Sequence, residues 1–274
     1  MSDEAQVRDL QRQALETTVG EIRRRLSEKF RRYYPDCTDL CKPKSPKKED
    51  HVALCRVLYQ RHLDFFRATV KHREVCLLGA NRIGKTDCAA YLVTAHLSGK
   101  YPPWWCGRRF DAPTQWWIAG DTMLTTRNIL QTAMLGPPET VETQQWSGML
   151  PSAAVQGITR KSGGVTQCVD TIFVRHVSGG TSTAQFLSYD QGRRAFQGTS
   201  RNIWLDEEPP ETEDIYGEAL TRTLDCDGLL LMTFTPLRGL TAFLSQYMET
   251  AVYLDRDGTE TPASGVFGVG GRET

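Results

Sequence analysis

Apolar positions near the amino terminus recur with helical spacing. Val7, Leu10, Ala14, Ile22, Leu26 and Phe30 stand three, four or eight residues apart, which predicts an amphipathic helix over "QVRDLQRQALETTVGEIRRRLSEKFRRYY", ended by Pro35. Such a helix would dock on its own domain or on a partner. "CTDLCKPKSPKKED", with two prolines and four lysines, then predicts an exposed linker, after which "HVALCRVLYQRHLDFFRATV" resumes helical spacing.

Beyond residue 73 short apolar runs alternate with helical stretches. "EVCLL", "QWWIAGD", "NIWLDEE" and "LLLMTFT" read as buried strands, and "TIFVRHV" with "AQFLSY" as paired strands across "SGGTST". "TDCAAYLVTAHLSG", "TMLTTRNILQTAML" and "DIYGEALTRTL" read as helices. The alternation predicts an α/β fold with a mainly parallel central sheet flanked by helices, behind an N-terminal helical extension. We expect three segments: a helix and basic linker over 1–50, the main domain over 51–254, and a polar, Gly-rich tail over 255–274 that reads as a linker or a cut end.

Composition changes this picture little. In 274 residues, 39% hydrophobic content suffices for a sizeable core, and 33 basic residues balance 33 acidic ones. The balance is uneven: residues 1–75 carry 17 basic against 12 acidic side chains, and the remainder 16 against 21. The N-terminal part is therefore the one suited to phosphate backbones or an acidic protein, although a solvated helix face gives the same excess. No apolar run has membrane-spanning length and "MSDEAQVRDLQRQ" is not a secretory signal, so the expectation is a cytosolic protein with reduced cysteines. Cys37, Cys41, His51 and Cys55 have a faint metal-like spacing without tight C-x-x-C pairs, which favours ordinary thiols.

The chemistry is written most plainly in "LLGANRIGKTD". Gly79, Ala80, Asn81, Arg82, Ile83, Gly84, Lys85 and Thr86 satisfy G-x-x-x-x-G-K-[ST] between a predicted strand and a predicted helix. The glycines let backbone N–H groups turn toward a phosphate, and Lys85 adds charge at the β- and γ-phosphates of ATP. Thr86 offers its hydroxyl to Mg²⁺, and the following helix presents its N-terminus to the same anion.

"NIWLDEEPP" supplies the second half. Asp206 and Glu207 follow an apolar strand, and Pro209 with Pro210 turn the chain out of the sheet, so the acids sit at a strand's carboxyl end where open α/β sheets bind ligands. Asp206 is expected in the Mg²⁺ shell and Glu207 as the base that polarises the attacking water, with Glu208 as an alternative base. The acid pair directly after the strand, some distance past the phosphate loop, predicts a P-loop NTPase of the ASCE type, whose glutamate follows the metal aspartate. We expect "QWWIAGD" to be the added strand between the two nucleotide-binding strands. Thr233 and Thr235 in "LLLMTFTPLRGLT" are placed to sense the γ-phosphate and pass the change onward, and Arg238 would read DNA or a neighbour.

Taken in order, "GANRIGKT", "SYDQGRRAFQG", "IWLDEEPP", "IYGEALTRT" and "LMTFTPLRGLT" resemble the large terminase subunit of tailed double-stranded DNA phages, in particular its headful-packaging subgroup, over about residues 55–245. The resemblance implies an ATPase, docked as a pentamer on the capsid portal, that drives double-stranded DNA into a procapsid after a small terminase subunit has selected it. It implies work in the cytoplasm of the infected bacterium and no place in the mature virion. Lys85 and Thr86 match the family's phosphate-loop pair, Asp206 and Glu207 its metal carboxylate and catalytic base, and Thr233 and Thr235 its coupling motif. Arg193, with Arg194 as competitor, matches a position facing the next subunit and is expected to be a trans arginine finger, with Arg82 a local sensor. The family's adenine-reading glutamine follows a tyrosine; here "YQRH" leaves Gln60 or His62 for that role after Tyr59. Full-length relatives continue into a nuclease domain for which 255–274 is too short, so no DNA cleavage is expected from this chain. A helicase-like translocase and a nucleotide-dependent assembly module that hydrolyses little ATP by itself are the competing readings.

Overall fold

The computed structural model describes residues 15, 19, 28–37, 41–42, 47–143, 146–199, 202–210, 214–224, 226–237, 239, 241–254 and 259–262. The expected N-terminal amphipathic helix lies largely outside them, as does Arg238. The chain forms two compact units, Met1–Tyr59 and Gln60–Thr274.

In the first unit the described structure is a helical turn at Lys29–Arg32 and 3₁₀ turns at Lys48–Asp50 and Arg56–Tyr59. Phe30 and Tyr34 are buried, and Tyr34 packs edge-on against Tyr59. Helical spacing after residue 51 was expected to continue unbroken. Instead Leu54 adopts a left-handed conformation (φ 60°), the chain bends, and regular α-helix begins only at Gln60.

The second unit is built on a seven-stranded sheet. Its strands are β1 (Glu74–Leu78), β2 (Gln115–Gly120), β3 (Val155–Arg160), β4 (Val169–Arg175), β5 (Thr181–Ser188), β6 (Asn202–Asp206) and β7 (Leu230–Phe234), in the order β1-β7-β6-β2-β5-β4-β3. From β1 to β5 the neighbours run parallel; β4 and β3 are added antiparallel, so "TIFVRHV" and "AQFLSY" do pair. Every residue of β6 and β7 is buried, as central parallel strands covered on both faces require. Helices that flank the sheet include α1 (Gln60–Lys71), α2 (Lys85–Ser98), α3 (Ile215–Leu224) and α4 (Ala242–Thr250). Trp117, Ile203, Leu205, Met232 and Phe234 pack with Ile215, Leu244 and Met248 into one core. "TMLTTRNILQTAML" is helical across Met123–Leu135, with π-helical hydrogen bonding at Thr126–Gln131.

One expectation is corrected. The strand between the two nucleotide-binding strands is β7, "LLMTF", whereas "QWWIAG" lies on the far side of β6. Chain order misleads here because a parallel strand must return by a crossover, and β7 crosses back over β6 to take the place beside β1. Register then does the positioning: Leu78 faces Phe234 and Asp206 faces Thr233, so three loops leave the sheet at one edge.

Candidate active site

The phosphate loop leaves β1 and enters α2 as the sequence requires. Arg82 and Gly84 are left-handed (φ 66° and 85°), and a side chain at Gly79 would put its Cβ 2.3 Å from Ile83 Cδ1. Asn81, Arg82 and Ile83 form an exposed crown. Lys85 is tucked beneath it, where Nζ donates to the carbonyls of Gly79 and Ala80, each at 3.0 Å, and to Thr235 Oγ1 at 2.7 Å. Burial lowers its pKa, opposed by the nearby Glu207 and Asp206 charges.

His62, on α1, lies under this loop. It is buried, and its Nε2–H donates to the Ile83 carbonyl over 3.1 Å; a Cβ at Gly84 would stand 3.2 Å from its Cε1. Burial draws its pKa down to about 4, so the ring is neutral and braces the turn. The ring nitrogen considered for adenine therefore already serves the loop. Gln60 is exposed at the start of α1, and Tyr59 ends the other unit. A cavity of about 1230 Å³ opens beside Gly79 and Ala80, with Arg61, Phe65, Ile83 and Tyr253 in its wall. There Arg61 donates to the Tyr253 hydroxyl and the Leu254 carbonyl, a feature with no signal in the sequence motif.

The acids stand where β6 ends. Asp206 is only 5% exposed; its Oδ1 accepts from Thr233 Oγ1 at 2.6 Å and from Thr86 Oγ1 at 3.4 Å. Thr233 Oγ1 in turn accepts from Trp204 Nε1 at 2.7 Å, which orients its proton toward the carboxylate. Burial pushes Asp206 up to about 7, although the Thr233 hydrogen bond opposes the shift. Glu207 is exposed and left-handed (φ 68°), with its N–H bound to the Thr233 carbonyl at 2.8 Å, and partial desolvation of its carboxyl raises the pKa against the pull of the Lys85 charge. Glu208 turns elsewhere: it accepts from the Thr241 hydroxyl, the N-cap of α4.

Thr235 Oγ1 donates to Asn81 Oδ1 at 2.9 Å while receiving Lys85, so the two threonines touch both halves of the site. Sequence reasoning missed Tyr189, whose hydroxyl donates to the carbonyls of Asp206 and Glu207 at 3.1 and 3.0 Å and thereby fixes the turn between them. Its signal was present in "SYDQGRR", but a buried tyrosine looks like core. Four residues on, exposed Arg193 donates from Nε to Glu218 Oε2 of α3 at 2.9 Å, and Arg222 shares the same carboxylate. Arg194 is exposed beside it.

A lysine-bearing glycine loop, a hydroxyl and a carboxylate meeting at one strand edge, and a glutamate directly after that carboxylate define a P-loop NTPase, and β7 lying between β1 and β6 makes it of the ASCE type. The family model for the terminase large subunit, T4likevirus-type, N-terminal, matches residues 76–262. The chain belongs to that family. It is 32% identical over 209 residues to the large terminase subunit of Salmonella phage P22, covering 70% of this chain and 41% of that protein. The chain thus spans well under half the length of this curated relative. Solved structures similar to it include the large terminase ATPase domain of Thermus phage P74-26, at 19% identity and TM-score 0.43 over 68% of this chain and 69% of that one. Another is the HK97 bacteriophage large terminase, at 18% identity and TM-score 0.40 over 76% and 38%.

Proposed function

We propose that this chain is the ATP-hydrolysing part of a motor that drives double-stranded DNA into a procapsid. The carrying observation is the meeting of Lys85, Thr86, Asp206 and Thr235 at one sheet edge, joined by hydrogen bonds. The donor set there, a hydroxyl and a carboxylate, fits a hard cation held through oxygen, so Thr86 and Asp206 would hold Mg²⁺, which neutralises phosphate charge when bound. Lys85 exchanges loop carbonyls for the β- and γ-phosphates, and Glu207, free of the contact that occupies Glu208, orients and polarises the attacking water. Thr233 and Thr235, bonded to Asp206 and to Lys85, carry the change in phosphate occupancy to β7. Of the two adenine readers we retain Gln60, since His62 serves the loop.

For the missing transition-state cation we assign Arg193 as the finger given to a neighbouring subunit and Arg82, exposed on the crown, as the local sensor. Glu218 of α3 holds Arg193 by its Nε while more than half of the side chain stays exposed, which suits a group presented outward. Family membership supports DNA, the portal, a small terminase subunit and further copies of the chain in a ring as its partners, at work in the cytoplasm of an infected bacterium outside the mature virion. Among the described residues no helix is long and apolar enough to cross a membrane.

The test is ATP turnover per subunit over a wide range of chain concentration, with Glu207→Gln as blank. Turnover that climbs steeply with concentration, vanishes in the blank and is lost in Arg193→Ala supports the motor with a trans finger. Flat turnover untouched by Arg193→Ala removes the trans assignment, and binding without turnover even with portal and DNA present leaves the assembly module as the better account.

A further inference from the structure

The first unit holds a cluster that the nucleotide chemistry does not use. Cys37, Cys41, His51 and Cys55 each turn one ligand atom inward, and these four atoms lie within 4.8 Å of one another. Cys37 Sγ is 3.3 Å from Cys55 Sγ and 4.0 Å from His51 Nδ1. A tetrahedral zinc with bonds of about 2.3 Å to sulfur sets neighbouring sulfurs about 3.8 Å apart, so small side-chain adjustments would seat the ion. At 3.3 Å the two sulfurs are not covalently joined, and all eight cysteines are free thiols.

We propose that these four residues form a structural zinc site of the Cys₃His type. The sequence places them as two short-range pairs, Cys37 with Cys41 and His51 with Cys55, each separated by three residues, within the spacing that zinc sites use. The sequence-level expectation of ordinary thiols rested on the absence of C-x-x-C, which is a narrower spacing than zinc requires. Between the pairs the backbone itself closes the loop: Lys42 N–H donates to the Asp50 carbonyl at 2.8 Å, and Lys42 Nζ meets Asp50 Oδ1 at 2.6 Å. That closure stands Cys41 beside His51. The Val52 N–H also donates to Cys41 Sγ at 3.4 Å, the kind of bond that holds a metal-bound thiolate in place.

The ligand chemistry selects the ion. Three thiolates and an imidazole at tetrahedral distances suit zinc, whereas Mg²⁺ prefers oxygen, so the site would not compete for the nucleotide's cation. Among the described residues of this unit Phe30 and Tyr34 are also buried, and a bound ion would add its ligand bonds to what their packing holds together.

The test is the zinc content of the full chain, purified under reducing conditions without chelator or metal-affinity resin and measured by plasma mass spectrometry. The expected result is about one zinc per chain, falling to near zero in Cys37→Ser/Cys55→Ser. Cobalt added to the metal-free chain should give the absorption bands of tetrahedral thiolate coordination, a readout that needs no variant to fold. Zinc in the parent chain no higher than in the double variant, or cobalt bands typical of octahedral oxygen coordination, would overturn the proposal. So would a Cys37–Cys55 disulfide found by peptide mapping in the reduced preparation.

Discussion

The two halves of the nucleotide site are held by opposite means. The loop half is exposed at Asn81, Arg82 and Ile83, stores its shape in left-handed backbone at Arg82 and Gly84, and satisfies its lysine with its own carbonyls. The strand-end half is buried: Asp206 is fixed by Thr233, Thr233 by Trp204, and the turn after it by Tyr189. One half is shaped by what the backbone must do, the other by which side chains burial brings together. The titrations follow suit. Burial acts on a base under the loop and on an acid at the strand end, and pushes their pKa values in opposite directions, His62 down to about 4 and Asp206 up to about 7.

The largest effect expected is on catalysis. Glu207→Gln keeps the size of the side chain but not its basicity, and turnover should fall by about 10²–10⁴-fold with nucleotide affinity little changed. Steady-state rates with a parallel binding titration check it. If Glu208→Gln gave the larger loss, the base would be the residue held by Thr241, and the strand-end half would extend one residue beyond Glu207.

Stability against pH breaks the comparison next. The folded chain keeps the Asp206 proton to about pH 7, whereas the unfolded chain gives it up near the ordinary carboxylate value of about 4. In between, the native state binds more protons, so this residue makes stability fall as pH rises, by at most about 4 kcal/mol once pH exceeds 7. Asp206→Asn should therefore be the more stable chain near pH 8 in chemical denaturation without nucleotide, and the gain should vanish as pH is lowered toward about 4. Its turnover should be lost at every pH.

His62 runs the other way with a somewhat smaller amplitude. Unfolded, its ring is protonated below about 6.5; folded, it resists the proton to about 4, so the unfolded chain binds more protons in that window and stability rises with pH, by at most about 3 kcal/mol. The contribution is fully present above about 6.5 and is lost as pH falls through about 4. His62→Asn retains a donor for the Ile83 carbonyl without titrating, and should remove this rising limb from the denaturation profile. A profile identical to the parent's would mean that the ring is not held neutral beneath the loop.

The same contrast decides what was legible in the sequence. The loop's needs are local and each is met by a residue type that few other contexts demand, so Gly79, Gly84, Lys85 and Thr86 could be read directly. Asp206 and Glu207 were legible because a strand ended in acids followed by two prolines. What lay hidden depends on register between distant strands: Thr235 under Lys85, Trp204 behind Thr233, Tyr189 across the acid turn, and β7 rather than β2 beside β1. His62 drew attention as an alternative to Gln60 in "YQRH", and its burial and the 3.1 Å bond to the Ile83 carbonyl, which no spacing announces, show it bracing the loop. The four zinc-site candidates were discounted because their spacing is loose, and the Lys42–Asp50 closure that brings them together has no sequence signature.

Thr233 is where the comparison can be made finest, because its hydroxyl belongs wholly to the buried half. Thr233→Val preserves shape but leaves the Trp204 N–H without its acceptor and removes the donor that holds Asp206 ionised. Stranding the indole N–H should cost about 1–3 kcal/mol in thermal or chemical unfolding. Because the lost hydrogen bond had been lowering the Asp206 pKa, the carboxyl should titrate higher still, and the falling limb of the stability profile recorded without nucleotide or Mg²⁺ should move to higher pH. Thr233→Ser, which keeps the hydroxyl and loses only a methyl group, should return that limb to the parent position while recovering most of the stability. A limb unmoved by Thr233→Val would show that the ionisation governing stability there is not that of Asp206, and the pH dependence would then pass to Glu207, the more exposed member of the pair.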